Sequence, residues 1–148
     1  MTPLGMASAH VDVPLDQTEA FETFTAEIGD WFVVNQFTVP DHTEVQTVRL
    51  EPHVGGRLIY VKTVDGGGTT AGRVTTWEPP HRFSFVDSRD LEVTVTFTAL
   101  EHGCRVTVEE VGFDKLEPEL ARRVRRHSWH RHLPEWFKHY TKKGSTER

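Results

Sequence analysis

The chain has 148 residues, with 17 Lys and Arg against 22 Asp and Glu, a formal net charge of −5. That length suits one domain, which at this size removes roughly 68–70% of its unfolded surface from water, and the lack of a basic excess speaks against a general nucleic-acid binder. A single cysteine, Cys104, leaves no intrachain disulfide framework and no cysteine-based zinc cluster; no run reaches the ~20 apolar residues of a membrane span, and "MTPLGMASAH" has neither the basic region nor the apolar core of a signal peptide, which predicts a cytoplasmic protein.

Residues 8–141 read as the single domain, between flexible ends at 1–7 and 142–148. "AHVDVP" alternates, with Ala9, Val11 and Val13 on one face, and predicts a short strand stopped by Pro14. In "DQTEAFETFTAEIGDWF", Asp16 and Glu19 have the form of a capping box, Phe21, Phe24 and Ile28 recur at helical spacing, and Gly29 ends the run. Asp30 to Asn35 add a further turn that carries Trp31 and Phe32 toward the core. From Glu44 onward "EVQTVRLEP", "GRLIYVKTV", "TTAGRVTTW", "RFSFVD", "LEVTVTFTAL" and "CRVTVEEVGF" are rich in Val, Thr and aromatics, with turn signals between them. The double proline of "TTWEPPHRFSF" makes a rigid corner between two strands, since proline has no donor for a sheet ladder and fixes φ. In "LEVTVTFTA" one face is apolar and the other polar, as in an antiparallel sheet with one wet side. Gaps this short allow hairpins but not parallel crossovers.

A closing helix is expected over Glu117 to Tyr140. Its second half carries an apolar stripe of Trp129, Leu133, Trp136, Phe137 and Tyr140. Leu120 and Val124 are out of phase with that stripe, and Pro134 removes one intrahelical bond, so the helix should be bent or irregular. Seven strands with one buried face are too wide for a single rod ~10–12 Å across to cover. The sheet must therefore curl around the helix, which tends to leave a concave apolar space of the kind that holds ligands.

Together "GGRLIYVKTVDG", "TTAGRVTTWEPPHRFSF", "VTVTFTALEHGCRVTVEEVGF" and "SWHRHLPEWFKHY" resemble the activator-of-heat-shock-protein-ATPase homologue (AHSA-type) family of the START-like, or SRPBCC, superfamily. The resemblance covers about residues 8–141. It implies an α+β helix-grip fold: a curved seven-stranded antiparallel sheet around a long C-terminal helix, with two short helices after the first strand. Superfamily members bind lipids, hormones and polyketides, and a few catalyse cyclisation or dehydration. The implied partner is a small hydrophobic molecule (lipid, polyketide or aromatic), with a chaperone or homodimer contact as the other kind.

Trp129 and Leu133 lie one turn apart and should face the concave side of the sheet, opposite Phe85, Phe97 and Val108. Trp31, Phe32 and Tyr60 belong to the aromatic set from which a cavity wall would be drawn. Glu110 shares strand parity with Val106 and Val108, so it is either an inward polar contact for a ligand, like Tyr60, or a rim carboxylate reaching water. His127, His130, His132 and His139 do not converge in threes, and no HExxH is present, so they read as surface or boundary residues and no metal or cofactor is expected. "RRVRR" reads as a solvated helix start paired with Glu117 and Glu119, or as a site for phosphate or an acidic partner. Cys104 reads as structural. The main expectation is a binder of a small apolar or amphipathic molecule. A protein-interaction or co-chaperone module and a cyclase- or dehydratase-like enzyme are the alternatives, the latter without an acid–base pair that the residues assemble.

Overall fold

A computed structural model of the chain describes residues 5–34, 43–62 and 67–146, with side chains described to residue 142. Strand β1 spans Met6–Val13, followed by helices α1 (Gln17–Ala26) and α2 (Ile28–Trp31). Six strands come next: β2 Val45–Leu50, β3 Arg57–Lys62, β4 Gly68–Glu78, β5 Arg82–Asp87, β6 Glu92–Leu100 and β7 Gly103–Val111. A 3₁₀ turn (Phe113–Lys115) leads to α3 (Pro118–Arg126) and α4 (Trp129–Thr146). The strands form one antiparallel sheet in the order β1-β7-β6-β5-β4-β3-β2. The sheet curls into a half-barrel around the C-terminal helical segment, so the fold is the α+β helix grip. Regular structure runs past the expected boundaries at both ends, from Met6 in β1 to Thr146 in α4.

Strands β6 and β7 alternate over most of their length as a half-buried sheet requires, whereas β3 and β5 bury three consecutive residues each. Val93, Val95 and Phe97 of β6 are buried, while Thr94 and Thr96 are half-buried and Thr98 is exposed on the convex side. The double proline lies in the β4–β5 turn, closed by His81 N–H donating to the Glu78 carbonyl at 2.8 Å, and the Pro79–Pro80 bond is cis. Asp16 caps α1 by accepting from the Glu19 amide at 2.8 Å. Gly29, expected to end the first helix, lies instead inside α2, and the interruption falls at Glu27. Its carbonyl accepts from Thr47 Oγ1 of β2 at 3.1 Å, which ties the short helix to the sheet edge. Phe32 follows on extended backbone, and Asn35 lies outside the described residues.

The expected closing helix is two helices, broken at His127–Ser128. The five-residue step from Val124 to Trp129 explains the break, because one straight helix could not bury both stripes. Two helices can: Trp129, Leu133 and Phe137 enter the main core, whereas Ala121 and Val124 of α3 pack on a second, small cluster of Ala7, Leu91 and Phe113. Pro134 is accommodated inside α4. α4 packs across β1 and β7, the two strands that bring the ends of the chain together, and α1 packs on β6 and β7.

Candidate functional site

The concave face is built from rows of inward side chains. One row runs Ala7–Glu110–Val93–Phe85–Val74 across five neighbouring strands, and the next holds Val108 and Val95 beside Phe83. Trp31, Phe32, Tyr60, Phe85, Phe97, Val108, Trp129 and Leu133 are all buried in the one main core. They divide into two groups. Phe97 sits with Phe21, Phe24 and Phe83 under α1, with ring centroids 5.1–6.5 Å apart. Trp31 and Phe137 close that side. At the other end Phe85 meets Trp129 edge-on at 5.2 Å, and Phe32 contacts Trp129 at 6.1 Å, Tyr60 at 6.5 Å and Trp136 at 5.1 Å.

Two buried carboxylates stand at this second end, and both are held by the first residues of the last helical segment. Glu110 is fully buried. Its Oε2 accepts from Ser128 Oγ at 2.5 Å, and its Oε1 accepts from the His130 amide at 2.6 Å and from His130 Nδ1 at 2.7 Å. It therefore caps α4 from the sheet, placing a negative charge at the helix N-terminus where unpaired amides and the dipole favour it. Asp87, at the end of β5, accepts from the Trp129 indole Nε1 at 2.9 Å. It also accepts from the Arg89 amide at 2.9 Å, Arg89 Nη2 at 3.0 Å and the Leu91 amide at 3.1 Å. Ser128, Trp129 and His130 thus tie α4 to two strands in three consecutive residues.

Glu110 points inward as its parity suggests, and both of its oxygens are engaged by α4. His130 corrects the reading of the histidines as surface or boundary residues: it is buried, because its ring donates to Glu110. His127 and His139 are exposed as expected. His132 is half-buried between the His127 ring at 5.8 Å and the Trp136 ring at 5.0 Å, and burial, then the nearby His127 and Arg131, push its pKa down. Among the described residues no three His, Cys, Asp or Glu gather to hold a metal ion. Asp87 and Ser128 were not foreseen as partners. Asp87 shares inward parity with Phe83 and Phe85, and Ser128 stands just before an apolar helical stripe, where a capping residue belongs; these are the two signals that would have found them.

Tyr60 differs from these satisfied groups. Its ring is in the core, burial pushes the phenol up to about 12, and the charges of Arg89 and Asp87 act on it in opposite directions. Its hydroxyl makes no hydrogen bond among the described residues. A groove of about 180 Å³, lined by Thr70 to Arg73 of β4 and Val86 to Ser88 at the end of β5, includes Asp87 in its wall. Cys104 is buried and its thiol is pushed up to about 11 by that burial, as befits a structural residue.

The Arg-rich helix α3 is split in role. Arg125 turns inward, donating from Nη2 to the Met6 carbonyl at 2.8 Å and lying 5.1 Å over the Phe113 ring. Arg122, Arg123 and Arg126 are exposed, and among the described residues none forms the expected ion pair with Glu117 or Glu119.

No curated protein matches this chain. Several solved structures share its fold at low identity. An AHSA1-like protein from Aeromonas hydrophila is 18% identical, with 95% of this chain and 94% of that one aligned and a TM-score of 0.64. CalC from Micromonospora echinospora, a self-sacrificing resistance protein, is 22% identical over 94% and 95% of the two chains, with a TM-score of 0.66. A protein from Rhodobacter sphaeroides is 17% identical over 97% and 94%, with a TM-score of 0.65. The family model described as Activator of Hsp90 ATPase homolog 1-like protein matches residues 15–142, and with the curled sheet, the gripped helix and this coverage the chain belongs to that family.

Proposed function

We propose that the protein binds a small apolar or amphipathic molecule at the aromatic end of its concave face, against Phe32, Tyr60, Phe85 and Trp129. The observation that carries this reading is the Tyr60 side chain: its ring belongs to a buried aromatic wall, and its hydroxyl, which keeps some access to solvent, has no protein hydrogen bond among the described residues. Ligand sites pair apolar walls with a few polar groups of this kind, left free to meet a ligand. With its phenol pushed up to about 12, Tyr60 stays protonated at neutral pH and offers a donor. Asp87 and Glu110 have their acceptors filled by protein donors. The ligand class is therefore a lipid, polyketide or aromatic body bearing a neutral acceptor such as a carbonyl. Apolar contact supplies affinity at about 25 cal/mol per Å² buried, and the tyrosine supplies orientation. The family's fold is compatible with a ligand-binding or cyclase-like role; Glu110, the acid that a cyclase reading would use, is committed to holding α4, which favours binding over catalysis.

Fatty acids, flavonoids and polycyclic aromatics screened by thermal shift test the proposal. A true ligand raises the melting temperature and alters tryptophan emission through Trp129. Tyr60→Phe should weaken it about tenfold, the worth of one hydrogen bond, and Leu133→Trp should exclude it by filling the space. A ligand that binds both variants as tightly as the parent, or no ligand in any class, overturns the reading.

A further inference from the structure

The charges of this chain are sorted along its length. Residues 115–148 hold ten Lys and Arg against four Asp and Glu, a net charge of +6, whereas residues 1–114 hold seven against eighteen, a net of −11. The structure sorts them a second time. On the sheet, Arg57, Lys62, Arg82, Arg89 and Arg105 each form an ion pair with a sheet or turn carboxylate. On the helices, Arg122, Arg123, Arg126 and Arg131 are exposed and form none among the described residues. The orientation of α3 is not free to change this. Ala121, Val124 and Arg125 face the protein, against Phe113 and the Met6 carbonyl, which leaves the other arginines on the outer side. Arg131 follows Arg126 by five residues, a span of at most roughly 17 Å.

We infer that this outer face of α3, with Arg131, is a docking surface for an acidic segment of a partner protein. The inference does not rest on the ligand-binding reading. Guanidinium groups match carboxylates in a two-pronged geometry, which favours arginine over lysine for such recognition. The competing anionic partners fit less well. A nucleic acid would have to extend past a body of net charge −11, which repels a long polyanion. A bilayer needs apolar side chains to insert, and α3 exposes only Leu120. A compact acidic segment meets the arginines and little else.

The test uses the full chain and a short fluorescent polyglutamate peptide, read by anisotropy at low salt and at about 0.15 M salt, where the Debye length is about 8 Å. Binding should be present at low salt and weaken as salt rises. Substituting Arg122→Gln, Arg123→Gln and Arg126→Gln together should weaken it about tenfold. The matched change on the sheet, Arg49→Gln with Arg73→Gln and Arg82→Gln, alters net charge equally and should leave it unchanged. The single substitution Arg126→Gln keeps the test open if the triple variant does not fold. Three results overturn the inference: no peptide binding at low salt; equal loss in the sheet variant; or tighter binding of an oligonucleotide, of phosphatidylserine vesicles, or of a second copy of the chain seen as a salt-sensitive dimer by sedimentation.

Discussion

A carboxylate removed from water has to find donors, and Glu110 finds three of them within Ser128 and His130. Removing one side of such a buried network leaves the other side unsatisfied, at a cost of about 3–5 kcal/mol. Glu110→Ala should therefore lower the unfolding free energy by about that amount in urea, whereas Ser128→Ala, which deletes one donor from a carboxylate that keeps two, should cost about 1–2 kcal/mol. A loss below about 1 kcal/mol for Glu110→Ala would show that the network only decorates the start of α4. The two tyrosines give a second check, because both are pushed up from 10.0 to about 12: Tyr60 mainly by burial, Tyr140 mainly by its 2.7 Å hydrogen bond to Glu27. Between those values the folded chain keeps protons that the unfolded chain has released. The stability they contribute is complete below pH 10 and disappears as pH rises to about 12. Phenolate absorbance should accordingly stay flat through pH 10 while the fold persists; an ordinary tyrosine titration in the folded protein would contradict both assignments.

Helix α1 illustrates how local chemistry reads directly from sequence. Asp16 accepts the Glu19 amide at 2.8 Å, as the spacing of the two residues suggests, and Asp16→Ala should cost about 0.5–2 kcal/mol. An unchanged denaturation midpoint in that variant would mean the cap is not formed in solution. The six central strands were readable for the same reason: Val–Thr alternation between Gly and Pro turns is a local pattern, and the double-proline corner marks the β4–β5 turn. The C-terminal helices were readable only halfway. The slip in phase between Val124 and Trp129 showed that one straight helix would fail, but the resolution depends on Phe113 and Leu91 forming a second cluster for α3, which no local pattern announces. The site was readable by parity alone. Glu110 could be placed on the inner face from Val106 and Val108, and Asp87 from Phe83 and Phe85, while His130 could not be recognised, since its partner lies 20 residues away and a histidine bonded to a buried carboxylate looks, in sequence, like any other.

The first strand and the last close the sheet side by side, Met6 opposite Val111 and Val13 opposite Cys104, and α4 lies over both. Pairing residues so far apart in sequence is entropically late, so the sheet is not complete until the chain's two ends meet. The main core is one cluster that draws on β1, both short helices, every other strand and α4. Among the described residues no element has a separate core large enough to persist alone; the second cluster buries only Ala7, Leu91 and Phe113. The molecule should consequently unfold in one step, with far-ultraviolet circular dichroism and tryptophan fluorescence tracing the same transition. Leu133 is the sharpest probe, because it sits on α4 at 2% exposure, in the cluster shared with the sheet. Leu133→Ala should lower stability by about 2–5 kcal/mol, shifting both signals to the same lower urea midpoint with the slope unchanged. If the helix signal were lost first, together with the burial of Trp129 and Trp136 on α4, and the sheet signal only in a later transition, α4 would be a detachable cover and not part of the cooperative core.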